Sequence, residues 1–378
     1  MIRYLIFVFI VLCFGTHAQE VKRDSLEHLL TQDLADTTRI DVLIEIAKID
    51  LGTQKARADS LFQSAISLVK QLKRAEDQAK AFEKAGHYLL KTSAYDSAVT
   101  YYKKALRIDQ KTDKIKALSR QHDNIGTAFY YKGDYNQTLY HFLERLSYCE
   151  KQADSSCISA ASNNSGLVLI NLGRYEDAIS YTLRSLRIDE ALGNLPGILS
   201  SQMSLGNINF YLENYEKAIK YYLDIVATCE RMENQELRIS YAYNNIASIY
   251  FQQREFEKAA EFYKKSLVLE EEFGNASGIA LKYNNLGSVY KELGKLNTAE
   301  TYYQKALTMR MELGDLYGIS STENNLGQLY LVKKSPNIAL EFYQSALRSA
   351  EKAGSLEASK IAYEGIAKSY KNQGRYRL

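Results

Sequence analysis

One stretch of the sequence returns at a fixed spacing along almost the whole chain. A glycine or alanine recurs every 40 residues, with a single interval of 41. The eight positions are Gly86, Gly126, Gly166, Gly206, Ala247, Gly287, Gly327 and Ala367, and a looser copy surrounds Ala47. A fixed period of this length is typical of a solenoid, in which one unit is stacked because no unit buries its apolar face alone. Because such an array has no fixed size, the length of 378 residues does not predict how many domains the chain has.

The copy at residues 281–314 shows what each unit contains. Apolar and small residues recur three and four positions apart around Gly287, and again around Tyr303, which predicts two helices. The missing side chain at Gly287 would let the second helix approach the first closely. Gly314 is placed to end the second helix, and Asp315 is placed to cap the next one. Each unit is therefore predicted to be an antiparallel helix pair.

These residues resemble the tetratricopeptide repeat. The matching positions are Leu286, Gly287, Tyr290, Gly294, Ala299, Tyr303 and Ala306, with further triples at Ala98, Tyr102, Ala105 and at Ala339, Tyr343, Ala346. The resemblance implies an all-α superhelical solenoid of stacked antiparallel helix pairs. It assigns residues 19–36 to a capping helix and residues 37–378 to an array of about eight pairs followed by an unpaired first helix.

The unit departs from the usual repeat in length and in two residues. It has 40 residues instead of about 34, the usual tryptophan position holds Tyr243, Tyr283 or Glu323, and the closing proline is absent. This longer form is similar to the repeats of bacterial peptide-responsive regulators and of animal spindle-orientation adaptors. That similarity implies a concave groove that holds a peptide or a partner protein.

Asparagines stand just before the small position of most units. Two residues before it lie Asn124, Asn164, Ser204, Asn245, Asn285 and Asn325, and three residues before it lie Asn163, Asn244, Asn284 and Asn324. The resemblance implies that the first row faces the groove, where side-chain amides would bond to the backbone of an extended ligand. The alternative is that each asparagine caps or bridges neighbouring helices. Tyr131 and Tyr211, one turn further on, either form aromatic walls of the groove or are tyrosines that face solvent or pack between units.

The first 18 residues predict a secretory signal peptide. Arg3 is followed by an apolar run over residues 4–14 and by a small-residue cleavage site before Gln19. A membrane anchor is the alternative, but about 11 apolar residues rise only about 16 Å as a helix, against a bilayer core of about 30 Å. We therefore expect an exported protein in the periplasm or at the cell surface, with no transmembrane segment in the mature chain.

Export would place the cysteines in an oxidising compartment. Cys149 is predicted to end one helix and Cys157 to begin the next, so the two are candidates for a disulfide across the turn. Cys229 is expected to be a buried apolar residue, although cleavage would leave three cysteines, an odd number that also permits a bridge to another chain. Cys13 follows Leu12, whereas a bacterial lipoprotein signal takes a small residue there, so lipid anchoring is the weaker alternative.

Charge and motifs give no sign of catalysis. Lys and Arg number 48 and Asp and Glu 45, and the charges are spread along the units, so nothing indicates a nucleic acid or an acidic membrane as partner. The sequence has no HExxH, no zinc-type cysteine spacing, no GxSxG and no phosphate-binding glycine loop. We expect no catalytic residues, no metal and no cofactor.

The sequence thus favours an exported, non-catalytic scaffold that binds a peptide or protein in its groove. The second hypothesis is a sensory module of a split or truncated two-component histidine kinase or transcriptional regulator, because exported arrays of this kind resemble the sensory segments of such proteins. A membrane-bound signalling partner would then be needed. The last unit, around Ala367, either caps the array or begins a longer protein.

Overall fold

The fold is known from a computed structural model that describes residues 19–232 and 235–374. In these two ranges every regular element is a helix and no strand occurs. The signal peptide predicted for residues 1–18 lies outside the described residues. Across the described ranges, no helix combines the length and the apolar character that a membrane span requires.

The described residues divide into two compact units, unit 1 up to Ser201 and unit 2 from Gln202 onward. Unit 1 contains α1 (19–30), α2 (Asp36–Asp50), α3 (Lys55–Val69), α4 (Ala75–Lys91), α5 (Tyr95–Lys111), α6 (Ile115–Lys132), α7 (Tyr135–Lys151), α8 (Ser155–Asn171) and α9 (Tyr175–Leu192). The boundary falls within α10 (Leu195–Tyr211). Unit 2 continues with α11 (Tyr215–Cys229), α12 (Glu236–Gln252), α13 (Phe256–Phe273), α14 (Ala276–Glu292), α15 (Leu296–Leu313), α16 (Leu316–Val332), α17 (Pro336–Ala353) and α18 (Leu356–Asn372).

Within each unit the helices pack in chain order. Each even-numbered helix is called here a first helix, and the odd-numbered helix that follows it is called its second helix. From α2 to α9 and from α11 to α18, every helix packs against the next one along the chain. The turns between them are short, which makes neighbouring helices antiparallel. The predicted all-α fold of stacked helix pairs is confirmed in both units. Helix α18 has no second helix among the described residues.

The small position and a second-helix tyrosine explain how the two helices of a pair fit together. A Cβ atom added at Gly287 would lie 2.6 Å from Cδ1 of Tyr303, so the ring occupies the space that a side chain would need. Tyr303 is fully buried, and its hydroxyl donates to Oγ of Ser288 over 3.0 Å. Ala299 and Ala306, on the turns before and after Tyr303, are also fully buried. The close helix approach expected from Gly287 is therefore present.

Helix ends follow the predicted chemistry at the turn between α15 and α16. Gly314 has the left-handed φ of +66° that ends α15, and its N–H bonds back to Met311. The Asp315 side chain accepts a hydrogen bond from the N–H of Gly318 over 2.9 Å and so caps α16. These two residues reverse the chain between one pair and the next.

In several repeats a second contact joins the first helix to its second helix beside the residue that packs on the small position. Aromatic pairs make this contact in both units, including Phe82 with Tyr101 in unit 1, whereas α6 and α7 have two histidines at the same repeat position. The ring centroids are 5.7 Å apart for Tyr243 and Phe262, 6.0 Å for Tyr283 and Tyr302, and 5.2 Å for His122 and His141. The histidine pair is thus a polar substitute for a core aromatic contact.

Candidate ligand-binding face

The asparagines two residues before the small position in unit 2, Asn245, Asn285 and Asn325, lie on one partly exposed side of the first helices. Residues spaced four, three and four apart project from the same side of a helix, because 3.6 residues make one turn. On α12, α14 and α16 this spacing selects twelve residues, which we call the ladder face: Tyr241, Asn245, Ser248, Gln252, Leu281, Asn285, Ser288, Glu292, Ser321, Asn325, Gln328 and Val332.

Side-chain amides join the successive first helices across this face. Nδ2 of Asn325 donates to Oδ1 of Asn284 over 3.1 Å, and Nδ2 of Asn285 donates to Oδ1 of Asn244 over 3.3 Å. In each case the donor belongs to the row two residues before the small position, and the acceptor belongs to the other row on the preceding first helix. The asparagines therefore form a ladder that runs from α16 through α14 to α12.

The ladder continues to the part of α10 that belongs to unit 2. Nδ2 of Asn245 donates to Oδ1 of Asn207 over 3.3 Å, and the hydroxyl of Tyr222 donates to the same oxygen over 2.7 Å. At the other end, Nδ2 of Asn324 donates to the backbone oxygen of Ala358 in α18 over 3.3 Å. All first helices of unit 2 are thus linked by asparagine side chains.

On α14 and α16 the two rows of asparagines differ in exposure. Asn284 and Asn324 are only 8% and 6% exposed. Both form hydrogen bonds between neighbouring helices, which is the alternative to ligand contact that the sequence left open. Asn163 of unit 1 is also buried and donates to Oγ of Ser200 over 3.0 Å. Ligand contact by Asn244, Asn284 and Asn324 stays a prediction.

The other row keeps a free hydrogen-bonding group. Asn285 and Asn325 are partly exposed, and their Nδ2 atoms are engaged in the ladder. No described residue donates to the Oδ1 atom of either one. An amide oxygen that is held in a fixed position can accept a hydrogen bond from a ligand N–H. The ladder therefore presents oriented acceptors, whereas the sequence suggested donors and acceptors alike.

In unit 1 the predicted residues meet in a separate cleft. Asn164 and Tyr131 line a cavity of about 200 Å³, together with Thr127, Tyr130, Phe142, Leu167 and Val168. Tyr131 is 60% exposed, and its part in an aromatic wall stays a prediction. Nδ2 of Asn124, one repeat before Asn164, is buried without a hydrogen-bond partner among the described residues. Tyr211, on the α10 part of unit 2, is exposed.

Sequence reasoning missed the apolar residues beside the asparagines. Tyr241 and Leu281 lie four residues before Asn245 and Asn285, and they are 48% and 39% exposed. Val332, seven residues after Asn325, is 52% exposed. Their helical spacing from the asparagines was visible in the sequence. Spacing alone does not distinguish these exposed apolar residues from the buried apolar residues around them.

The remaining predicted site residues are Cys149 and Cys157. The sulfur atoms of Cys149 and Cys157 are joined at 1.94 Å with their Cα atoms 5.5 Å apart, across the turn between α7 and α8. Cys229 is buried with a free thiol whose pKa is raised by burial, in line with the expected apolar role. In the described ranges, no group of three or more His, Cys, Asp or Glu residues is placed to hold a metal ion.

Family models match most of the repeat region. A tetratricopeptide repeat model matches residues 156–231, 238–312 and 278–352, and a second model with the same description matches residues 79–112. No curated protein matches the chain in a sequence search.

Solved structures share the fold at low sequence identity. The apo form of the quorum sensor NprR from B. thuringiensis is 16% identical, with 90% of this chain and 94% of that chain covered and a TM-score of 0.63. A Rap protein complexed with competence and sporulation factor is 14% identical, with coverage of 96% and 95% and a TM-score of 0.53. A signal transduction ATPase from Pyrococcus horikoshii with a tetratricopeptide repeat sensor is 22% identical, with coverage of 72% and 43% and a TM-score of 0.56. At these identities the likeness is one of fold.

Proposed function

This chain belongs to the tetratricopeptide repeat family, and from that premise we propose that it is a non-catalytic scaffold that binds a peptide or an extended protein segment. The ligand would lie along the first helices of unit 2. The observation that carries the proposal is the pair of free, oriented Oδ1 atoms on Asn285 and Asn325. An extended ligand has backbone N–H groups that need acceptors when they leave water.

A sensing role is the second candidate. The fold resembles that of the quorum sensor NprR and that of an ATPase with a tetratricopeptide repeat sensor, and this likeness favours ligand detection over passive assembly. In that case the bound ligand would alter a separate signalling partner, such as a membrane-bound histidine kinase. A partner pulled down only in the presence of the ligand would support sensing.

We also propose that the protein is exported, on the evidence of residues 1–18 in the sequence. The test is N-terminal sequencing of the protein recovered from cells that express the full chain. A mature protein that begins at Gln19 would support export to the periplasm or cell surface. Retention of Arg3 in the recovered protein would contradict it.

The binding proposal is tested by selection of a random-peptide phage library on the purified protein. The test variant carries Asn245→Ala, Asn285→Ala and Asn325→Ala together. The control carries Glu261→Ala and Lys265→Ala, an exposed ion pair of 2.7 Å on the second helix α13. We expect the wild type and the control to enrich the same peptides and the test variant to lose them.

The asparagines also link helices, so the test variant could lose binding by unfolding. Ser321→Trp provides a second test, because it fills the ladder face one turn before Asn325 and leaves every asparagine in place. We expect this variant to keep the thermal unfolding midpoint of the wild type and to bind the selected peptides at least about tenfold more weakly, a loss of about 1.4 kcal/mol. Unchanged binding by both variants would overturn the proposal.

A further inference from the structure

The ladder face carries almost no exposed charge. Of its twelve residues only Glu292 is charged, and Nζ of Lys291 lies 3.3 Å from that carboxylate. The second helix α13 of the same unit is different, since seven of its charged residues are exposed: Glu257, Lys258, Glu261, Lys264, Lys265, Glu271 and Glu272. The contrast shows that the low charge is a property of this face and not of the unit.

Nζ of Lys291 donates to Oε1 of the ladder-face residue Gln328 over 2.8 Å, whereas Lys282 and Glu323 are buried. Lys282 is 1% exposed, and its Nζ lies 3.8 Å from Oε1 of Glu270 on α13 and 5.9 Å from the ring centroid of Tyr241. Glu323 is 3% exposed, and its carboxylate accepts hydrogen bonds from the hydroxyls of Ser345 and Ser349 on α17 at 2.7 and 3.2 Å. Lys282 is thus paired with a carboxylate of the preceding helix pair and Glu323 is bonded within its own pair, and neither exposes its charge on the ladder face.

Exposed apolar side chains stand on both sides of the ladder. Tyr241 and Leu281 lie one turn before the asparagines of α12 and α14, and Val332 lies two turns after the asparagine of α16. On the neighbouring α18, Ile361 is 47% exposed at the repeat position of Leu281. A ligand that covered these side chains would remove apolar surface from water, which is favourable at about 25 cal/mol per Å².

We propose that the ladder face binds an uncharged, apolar segment of a partner chain in an extended conformation. Its backbone N–H groups would donate to Oδ1 of Asn285 and Asn325, and its apolar side chains would pack on Tyr241, Leu281 and Val332. A charged ligand side chain would lose water here and find no partner among the central residues of the face, which opposes its binding. This inference rests on the proposed function and specifies the chemistry of the ligand.

The test reads the composition of the peptides that a random-peptide phage library yields on the wild type and on Leu281→Lys. The matched control is Ile338→Lys, because Ile338 is 40% exposed on the second helix α17, as Leu281 is 39% exposed on the ladder face. Peptides are counted only if the triple asparagine variant fails to bind them. We expect the wild-type and Ile338→Lys pools to be rich in apolar residues and poor in Asp, Glu, Lys and Arg.

The Leu281→Lys pool should gain acidic residues, and a peptide from the wild-type pool should bind that variant about tenfold more weakly. Asparagine-dependent pools rich in charge on the wild type would overturn the inference and leave the proposed function standing. The absence of any asparagine-dependent peptide would overturn both. An equal shift toward acidic residues in both lysine variants would overturn the assignment of the ligand to this face.

Discussion

The side-chain amide of Asn325 donates a hydrogen bond to the side-chain oxygen of Asn284 over 3.1 Å and so joins two successive first helices. Asn284 is buried and Asn325 is partly exposed, so the same contact fixes the exposed amide in one orientation. A rigid acceptor costs less entropy on binding than a mobile one. The ladder therefore links the helices, and under the proposed function the same bonds orient the acceptors that a ligand would use.

The structural role predicts a measurable coupling between these two residues. We expect Asn284→Ala and Asn325→Ala each to lower the free energy of unfolding by about 1 kcal/mol, because each removes one hydrogen bond. The loss in the double variant should be smaller than the sum of the two single losses by at least about 0.5 kcal/mol, because both changes remove the same bond. Urea denaturation of the four proteins gives the cycle, and purely additive losses would contradict a stabilising contact.

The histidine pair predicts a loss of stability in mild acid. His122 and His141 are each 5% exposed, and their Nδ1 atoms lie 3.2 Å apart in a hydrogen bond that needs one of them as acceptor. Burial lowers the pKa of His141 to about 4, with His122 and Lys103 adding to the effect, and burial also lowers the pKa of His122, against the opposing charge of Glu144.

Because the ordinary histidine pKa is about 6.5, the unfolded chain binds these protons first as the pH falls. The free energy of unfolding should therefore decline from about pH 6.5 to about pH 4, by roughly 3 kcal/mol for His141. The matched control is His122→Tyr with His141→Phe, which copies the Tyr243–Phe262 pair of another repeat. Chemical denaturation at a series of pH values measures the free energy of unfolding of the wild type and of this control. If the free energy fell equally in both proteins, the role of the histidine pair would be contradicted.

The cysteine pair predicts sensitivity to reductant. A bridge between Cys149 and Cys157 closes a loop of about nine residues, which by chain entropy stabilises the fold by about 2.5 kcal/mol. Trypsin without reductant should release residues 146–151 and 152–174 as one linked species, and reductant should separate them. Denaturation of Cys149→Ser with Cys157→Ser should be unaffected by reductant, and equal stability of the oxidised and reduced wild type would contradict the bridge.

The contact between Gly287 and Tyr303 predicts a graded response to side-chain size. Gly287→Val forces a branched side chain into the ring and should cost about 3 kcal/mol. Gly287→Ala should cost less, because Ala247 occupies the same position opposite Tyr263 in the preceding repeat. Replacing Tyr303 with Thr, the residue that faces Gly166, should restore part of the stability of Gly287→Val. Thermal unfolding of these variants checks the order, and a Gly287→Val protein as stable as the wild type would contradict it.

Much of the fold was predictable because it depends on residue size at fixed spacing. Gly287, Tyr303 and Gly314 each act within one helix pair, and their roles follow from local geometry. The orientation of Asn285 was not predictable, because it depends on a bond to Asn244 on a different helix, 41 residues away. Spacing also cannot distinguish an exposed Leu281 from a buried apolar residue, since exposure is decided by neighbouring repeats.

The central claim is that ligands contact the ladder face, and site-specific photo-crosslinking tests it most directly. A photoreactive phenylalanine analogue replaces Leu281 on the ladder face in one protein and Lys264 on the exposed side of α13 in another, and each is irradiated with a labelled peptide from the library selection. The account predicts crosslinking from position 281 and little from position 264. Crosslinking from position 264 with none from position 281 would contradict it.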